Sequence, residues 1–388
     1  MGFPAVIQYV PRAVLAIKPL ARRVQSLARF PVPWITGLQG PRLQAPQNPS
    51  SEQLEGEPAI NDCAASGITS HPAIELGLAS VFESCRPQAE GQVASYIPEL
   101  ATVDPDKFGI ALATIDGRLW TCGDAEFEFT IQSISKAFSY CVALELLGRD
   151  EVFKHVGVEP SGDAFNAIIF DPRTQRPFNP MVNAGAITVS ALIRRVWQGE
   201  ALDFLLDRFS KAAGRSLRIS ESVYRSEAET GHRNRAIGHL LLNVGAAEQP
   251  IEPALDLYFR QCSILVTASD LARMGATLAN IGENPFTGES VFDVAAVRDT
   301  LSVMFTCGMY DYSGSWALDV GIPAKSGVGG GVLGVVNRQL GIGTYSPRLD
   351  EKGNSVRGLS VFQKLSEEFG LHAFECTNYG SELMRSLV

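Results

Sequence analysis

Ser133 and Lys136 stand three residues apart in Thr130-Ile131-Gln132-Ser133-Ile134-Ser135-Lys136, at the start of a stretch patterned as a helix. That spacing puts both side chains on one helix face. A serine hydroxyl is a weak nucleophile and needs a base. A lysine serves if burial lowers its pKa enough to leave it neutral. The helix N-terminus adds partial positive charge near a developing oxyanion. The same spacing also arises in ordinary helices, where the serine caps and the lysine is solvated. The pair therefore needs a second element before it means chemistry.

Lys325-Ser326-Gly327 supplies that element, followed by Val328, the run Gly329-Gly330-Gly331 and a strand pattern. S-x-x-K with a later K-[TS]-G is the pairing found in serine β-lactamases and penicillin-binding proteins. A K-S-G strand edge can offer a backbone N–H as an oxyanion donor, and glycines let a substrate approach the backbone closely. The plainer reading of the glycine run is a flexible turn.

The elements that must hold these groups are legible in part. Ile74, Leu76, Leu78, Val81 and Phe82 suit an amphipathic helix, so ordered structure is expected to begin near Pro72. Phe108 to Thr114 and Arg118 to Thr121 read as a β-hairpin around Asp116-Gly117. Ser133 to Leu147 reads as a helix with Phe138, Val142 and Leu146 on one stripe and Gly148 at its end. Val332 to Val336 and Leu340 to Thr344 form another strand pair about Asn337 and Arg338. Strands near both ends with helical patterns between them predict an α+β plan, an antiparallel sheet plus a helical cluster.

Composition bounds the function. The 388 residues are 45% hydrophobic and only 19% charged, with a net charge of -9. Such a chain builds a large core and makes a poor nucleic-acid binder, since phosphate neutralisation needs clustered Lys and Arg. The seven cysteines (Cys63, Cys85, Cys122, Cys141, Cys262, Cys307 and Cys376) are odd in number and include no C-x-x-C. That predicts free buried thiols in a reducing compartment, without a disulfide framework or a structural zinc site. His232 and His239 could share a helix face, but no H-E-x-x-H surrounds them, so no metal is expected. No apolar run is long enough for a membrane span or a secretory signal.

Residues 1–50 carry Arg12, Lys18, Arg22, Arg23, Arg29 and Arg42 with no Asp or Glu, and eight prolines interrupt them. An Arg-rich, acid-free start is half of a mitochondrial transit signature, but the segment is poor in serine. A flexible, non-catalytic extension over residues 1–70 is the preferred reading, with Gln44 to Ser70 as linker. A catalytic domain over 71–374 and a tail over 375–388 complete the expected organisation.

Seven separated motifs occur in order: Tyr96-Ile97-Pro98-Glu99-Leu100, Phe129 to Lys136, Asn179-Pro180-Met181-Val182-Asn183-Ala184-Gly185-Ala186, Ser226-Glu227 with Arg233-Asn234, Tyr258-Phe259, Cys307-Gly308-Met309-Tyr310-Asp311, and Lys325-Ser326-Gly327-Val328. On these the chain resembles the serine-dependent glutaminase family from about His71 to Phe374. The resemblance implies a serine β-lactamase/penicillin-binding-protein-like fold and cofactor-free hydrolysis of L-glutamine to L-glutamate and ammonia. It implies Ser133 as nucleophile, Lys136 as base and Tyr310 as proton relay, with backbone N–H groups of Ser133 and Val328 as the oxyanion hole. It further implies that Tyr96, Gln132, Asn183, Glu227, Asn234 and Tyr258 bind the substrate, Glu227 pairing its ammonium. A homo-oligomer, dimer or tetramer, goes with the family, as does a compact bacterial-type enzyme in the cytoplasm. Mitochondria are the alternative if residues 1–50 are a transit peptide.

Each of these residues also has a plain reading. Asn183 could cap the helix that follows, Glu227 could be a solvated surface charge, and the tyrosines could be core residues with satisfied hydroxyls. The chain departs from the family pattern at Ala137, where many members have Pro, and at His232, where Asp is common. The rival activities are those of a β-lactamase or penicillin-binding acyl-transferase, and of a non-catalytic amino-acid-binding module on the same fold.

Overall fold

Asp116-Gly117 closes the expected hairpin. Gly117 adopts φ +81°, a conformation glycine takes without steric cost, and its N–H donates to the Thr114 carbonyl at 3.1 Å. The structure, a computed structural model, describes residues 62–66, 71–164 and 166–375. Among these the strands are β1 (Cys63–Ser66), β2 (Gly109–Thr114), β3 (Leu119–Gly123), β4 (Phe129–Thr130), β5 (Arg218–Ile219), β6 (Ile264–Val266), β7 (Ala324–Ser326), β8 (Gly331–Val336) and β9 (Leu340–Tyr345). Six of them make one antiparallel sheet in the order β1-β3-β2-β9-β8-β7, and β4-β6-β5 make a small second sheet. The strand pair expected at 332–336 and 340–344 is β8 and β9.

Both faces of the large sheet are covered, so its strands are apolar throughout rather than alternating. Ile110, Leu112, Val332 and Ile342 point into one core, shared with the helices Pro72–Cys85 and Val356–Phe369. Ala111, Ala113, Leu333 and Val335 point into the other, beneath the helix Ala268–Ala279. That helix lies flush on β9 because β9 is glycine-rich. A Cβ on Gly341 would stand 2.2 Å from the Ala272 carbonyl, and one on Gly343 2.0 Å from that of Ala268. Thr267 and Asp270 cap its start reciprocally.

Beyond this layer sits the helical cluster. Its centre is the helix Ser135–Leu147, which begins after a 3₁₀ turn, Gln132–Ile134, rather than at Ser133. The expected one-sided stripe is not what governs it: every residue from Ser135 to Leu144 is buried, as in a helix packed all round. The helices Asn183–Trp197, His232–Asn243 and Glu252–Cys262 share a further apolar core.

Two expectations need correction. The stretch read as linker carries β1, whose Cys63 faces Cys122 across the β1–β3 ladder. These two cysteines form a disulfide, against the reading of free thiols throughout. Pairing of residues 59 apart in sequence leaves no local spacing signal to read. Cys85, Cys141, Cys262 and Cys307 are free and buried as expected, and Cys376 lies outside the described residues. No described helix is long and apolar enough to cross a membrane.

Candidate active site

Ser133 occupies the 3₁₀ turn between β4 and the central helix. β4 pairs with β6, and the Ile131 N–H donates to the Ile264 carbonyl at 2.8 Å, which anchors the chain just before the turn. Gln132 is forced to φ +49°, left-handed for a residue with a Cβ. Such strain costs about 1–3 kcal/mol and persists only where the surroundings impose it. Tyr310 carries the same signature at φ +58°.

The glycine run after β7 is a close-packing device rather than a loose turn. A Cβ on Gly329 would come 2.8 Å from the Thr130 carbonyl, and one on Gly327 3.0 Å from that of Ile131. The K-S-G strand thus reaches the turn that bears Ser133. Val328 between these glycines lines the cavity, and its N–H donates to no acceptor among the described residues.

A cavity of about 260 Å³ opens over Ser133. Tyr96, Gln132, Asn183, Glu227, Asn234 and Tyr258 all line it with Ser133 and Val328, although they come from segments far apart in the chain. Lys136 and Tyr310 lie behind that lining and bond to it.

Lys136 is enclosed at 1% exposure. Burial lowers its pKa to about 8, so roughly a tenth is neutral amine at pH 7 and most of it by pH 9. Its Nζ donates to Asn183 Oδ1 at 2.6 Å and to the Met181 carbonyl at 3.3 Å. Asn183 is the junction of the site. Its Oδ1 also accepts from Tyr258 at 3.2 Å, and its Nδ2 donates to Asn234 Oδ1 at 2.9 Å. Its side chain caps nothing, so the plain capping reading fails. Asn179 shapes the approach: its Oδ1 accepts from the Met181 N–H at 3.0 Å and its Nδ2 reaches the Glu159 carbonyl at 2.8 Å. Gly185 admits that loop, since a Cβ there would stand 2.0 Å from the Asn179 carbonyl.

Glu227 is buried at 8% exposure, which excludes a solvated surface charge. Burial raises its pKa, partly offset by hydrogen bonds from Tyr96 and Gln132. A carboxylate so placed gains from a cationic partner arriving in the cavity. Tyr96 OH donates to Glu227 Oε1 at 2.7 Å. Tyr96 is half-exposed, yet desolvation of its hydroxyl and the neighbouring Glu227 push its pKa up.

Tyr310 OH donates to the Ser326 carbonyl at 2.9 Å, and the phenol oxygen also takes a hydrogen bond from Ser133. Burial raises its pKa, so it is a neutral phenol able to pass a proton.

Lys325 was legible only as part of a motif, with no role for its side chain. It is fully buried, and its Nζ donates to the Ser326 carbonyl at 2.7 Å and lies 4.2 Å from the centre of the Tyr310 ring. Burial first, and then the Lys136 charge, lower its pKa well below the ordinary range. Asn166, Thr230, Arg233 and Cys262 also line the cavity without having been expected there. Arg233 is exposed at its rim, with Nε donating to the Asn166 carbonyl at 2.7 Å. Burial pushes the Cys262 thiol up to about 12, so it is no rival nucleophile. No cluster of three metal-binding side chains exists among the described residues.

The chain resembles known glutaminases in sequence and in structure. The family model described as Glutaminase matches residues 91–374. A glutaminase of Nostoc is 54% identical over 292 residues, which is 75% of this chain and 87% of the relative. One from Microcystis aeruginosa is 56% identical over 284 residues, 73% of this chain and 84% of its own. Among solved structures, Mglu in its glutamate form superposes with a TM-score of 0.76 at 45% identity, over 80% of this chain and 72% of the other. A probable glutaminase of Bacillus subtilis gives 0.71 at 37% identity, over 77% and 97%.

Proposed function

The chain belongs to the glutaminase family, and from that premise we propose how it hydrolyses L-glutamine to L-glutamate and ammonia: through an acyl-enzyme on Ser133. Its α+β plan is the serine β-lactamase-like fold of that family. The observation that carries the mechanism is the burial of Lys136, which brings its pKa to about 8 three residues from a serine in a polar cavity.

Neutral Lys136, acting with Tyr310, takes the Ser133 proton as Oγ attacks the γ-amide carbon. The oxyanion is met by the Ser133 and Val328 N–H groups. Lys136 and Tyr310 return the proton to the departing nitrogen, the C–N bond breaks, and ammonia leaves. Water, deprotonated by the same pair, then opens the γ-glutamyl ester. Glu227, held by Tyr96 and Gln132, pairs the substrate ammonium, while Asn183, Asn234 and Tyr258 hold its α-carboxylate end. A site whose polar groups are left unpaired by an analogue rejects that analogue strongly. The proposal includes the homo-oligomer, dimer or tetramer, that the family resemblance implies.

An ammonia-release assay with glutamine and asparagine beside a nitrocefin assay tests this reading. Release from glutamine alone is expected. Nitrocefin turnover without glutamine turnover would replace it with the β-lactamase reading.

A further inference from the structure

Two hydrogen bonds join the segment that bears Tyr96 to the helix Glu221–Thr230. Tyr96 OH donates to Glu227 Oε1 at 2.7 Å, and Ser226 Oγ donates to Glu99 Oε1 at 2.9 Å. The first bond belongs to the substrate cavity, since Tyr96 and Glu227 both line it. The second lies behind it: neither Glu99 nor Ser226 is a lining residue. Glu99 sits in the short helix Pro98–Ala101, which Ile97 and Leu100 hold against Val223 of the longer helix. Apolar packing of this kind is non-directional, so it keeps the segment on the helix without setting how it is turned. A hydrogen bond does set that, because it depends on distance and angle. The other oxygen of Glu99, Oε2, is buried and accepts no hydrogen bond among the described residues, so Ser226 is what fixes the carboxylate.

We propose that Glu99 is a positioning residue for substrate binding: through Ser226 it fixes the Tyr96 hydroxyl on Glu227, and so aims the Glu227 carboxylate at the substrate ammonium. The inference rests on the reading of Glu227 as the partner of that ammonium. A charge-assisted hydrogen bond is strong only in good geometry, so a Glu227 carboxylate that is no longer steadied by Tyr96 pairs less well with an arriving cation. Glu99 touches neither the substrate nor the reacting amide, so its loss weakens binding and leaves the chemical step at Ser133 as it is. Among the influences on the Glu227 pKa, the Glu99 charge comes after burial and the bonds from Tyr96 and Gln132. It is therefore the bond to Ser226, rather than the charge, that carries the effect.

Steady-state kinetics with two substrates test this: glutamine, and 4-carbamoylbutanoate, which is glutamine without its α-amino group. The second is followed by KM, or by its competitive Ki against glutamine where turnover is too slow. Glu99→Ala and Ser226→Ala remove the bond from either end. Each should raise KM for glutamine by about 3–10-fold, the scale of one lost hydrogen bond, with kcat within about twofold of wild type. The constant for 4-carbamoylbutanoate should stay within about twofold. The double variant should be no worse than the worse single one, because both remove the same bond. Glu99→Gln keeps an oxygen for Ser226 and should restore glutamine KM to within about twofold of wild type. Ser226→Ala removes one oxygen from a half-buried helical position, so it keeps the test in force if Glu99→Ala does not fold. An unchanged glutamine KM, equal proportional losses on the two substrates, additive losses in the double variant, or a Glu99→Gln as impaired as Glu99→Ala would each overturn the proposal. Glu227→Gln separates this failure from that of the reading beneath it. A loss confined to glutamine in Glu227→Gln, beside none in Glu99→Ala, overturns the role of Glu99 alone. Equal losses on both substrates in Glu227→Gln remove the ammonium reading and the proposal with it.

Discussion

Lys136 Nζ and Asn183 Oδ1 lie 2.6 Å apart, joining the first turn of the central helix to the first residue of the helix Asn183–Trp197. The amide oxygen is a neutral acceptor, so it orients the lysine without holding its proton. Asn183→Asp would place a carboxylate there and favour the ammonium. The rate of glutamine hydrolysis at pH 7.5 should fall, and the rising limb of the pH profile should move to higher pH. A profile unmoved by the substitution would show that this contact does not tune Lys136.

The pH dependence of the wild type follows from the same lysine. Its pKa is lowered to about 8, so the active neutral form grows as pH rises through that value. Between pH 7 and pH 9 kcat/KM should increase roughly tenfold and then level off. A flat profile across that window would exclude Lys136 as the base.

Ser133→Ala should abolish turnover, by about 10⁴-fold or more, while glutamine binding measured by calorimetry persists. Near-normal ammonia release from this variant would sink the serine mechanism.

Glu227→Gln keeps the shape of the buried side chain and removes its charge. A hydrogen bond to a charged group is worth ~1.5–3 kcal/mol, so kcat/KM for glutamine should fall by roughly 10–150-fold. A γ-amide substrate without the α-amino group should lose much less. Equal fractional losses on the two substrates would mean that Glu227 supports the fold instead of reading the ammonium.

Gly308 links the Tyr310 turn to the K-S-G strand. A Cβ there would stand 1.7 Å from the Ala324 carbonyl, and the Gly308 carbonyl accepts from the Ser326 N–H at 3.3 Å. Gly308→Ala must push the helix Val294–Cys307 and Tyr310 away from β7. Overpacking of this kind destabilises by about 1–3 kcal/mol, so the midpoint of thermal or urea unfolding should drop and activity should fall with it. An unchanged midpoint would show that the contact relaxes freely.

Sequence alone carried what is local. Asp116-Gly117 named its hairpin because φ > 0 is a property of the residue itself, and the S-x-x-K spacing put Ser133 and Lys136 on one face because helical geometry repeats. The other site residues, Tyr96, Asn183, Glu227, Asn234 and Tyr258, were named through ordered family motifs, since no spacing connects Tyr96 to Glu227 across 131 positions. Tertiary structure decided three further things. Burial on all sides set the protonation of Lys136 and drew Lys325 into the site, because desolvation depends on what surrounds a side chain and not on its neighbours in the chain. Strand pairing brought Cys63 opposite Cys122, which the odd cysteine count had argued against. Close backbone approach turned Gly329 from part of an apparent flexible turn into a contact that, with Gly327, packs the segment bearing Val328 against the turn bearing Ser133. Each depends on which distant segments meet, and that is settled only when the two cores close around the sheet.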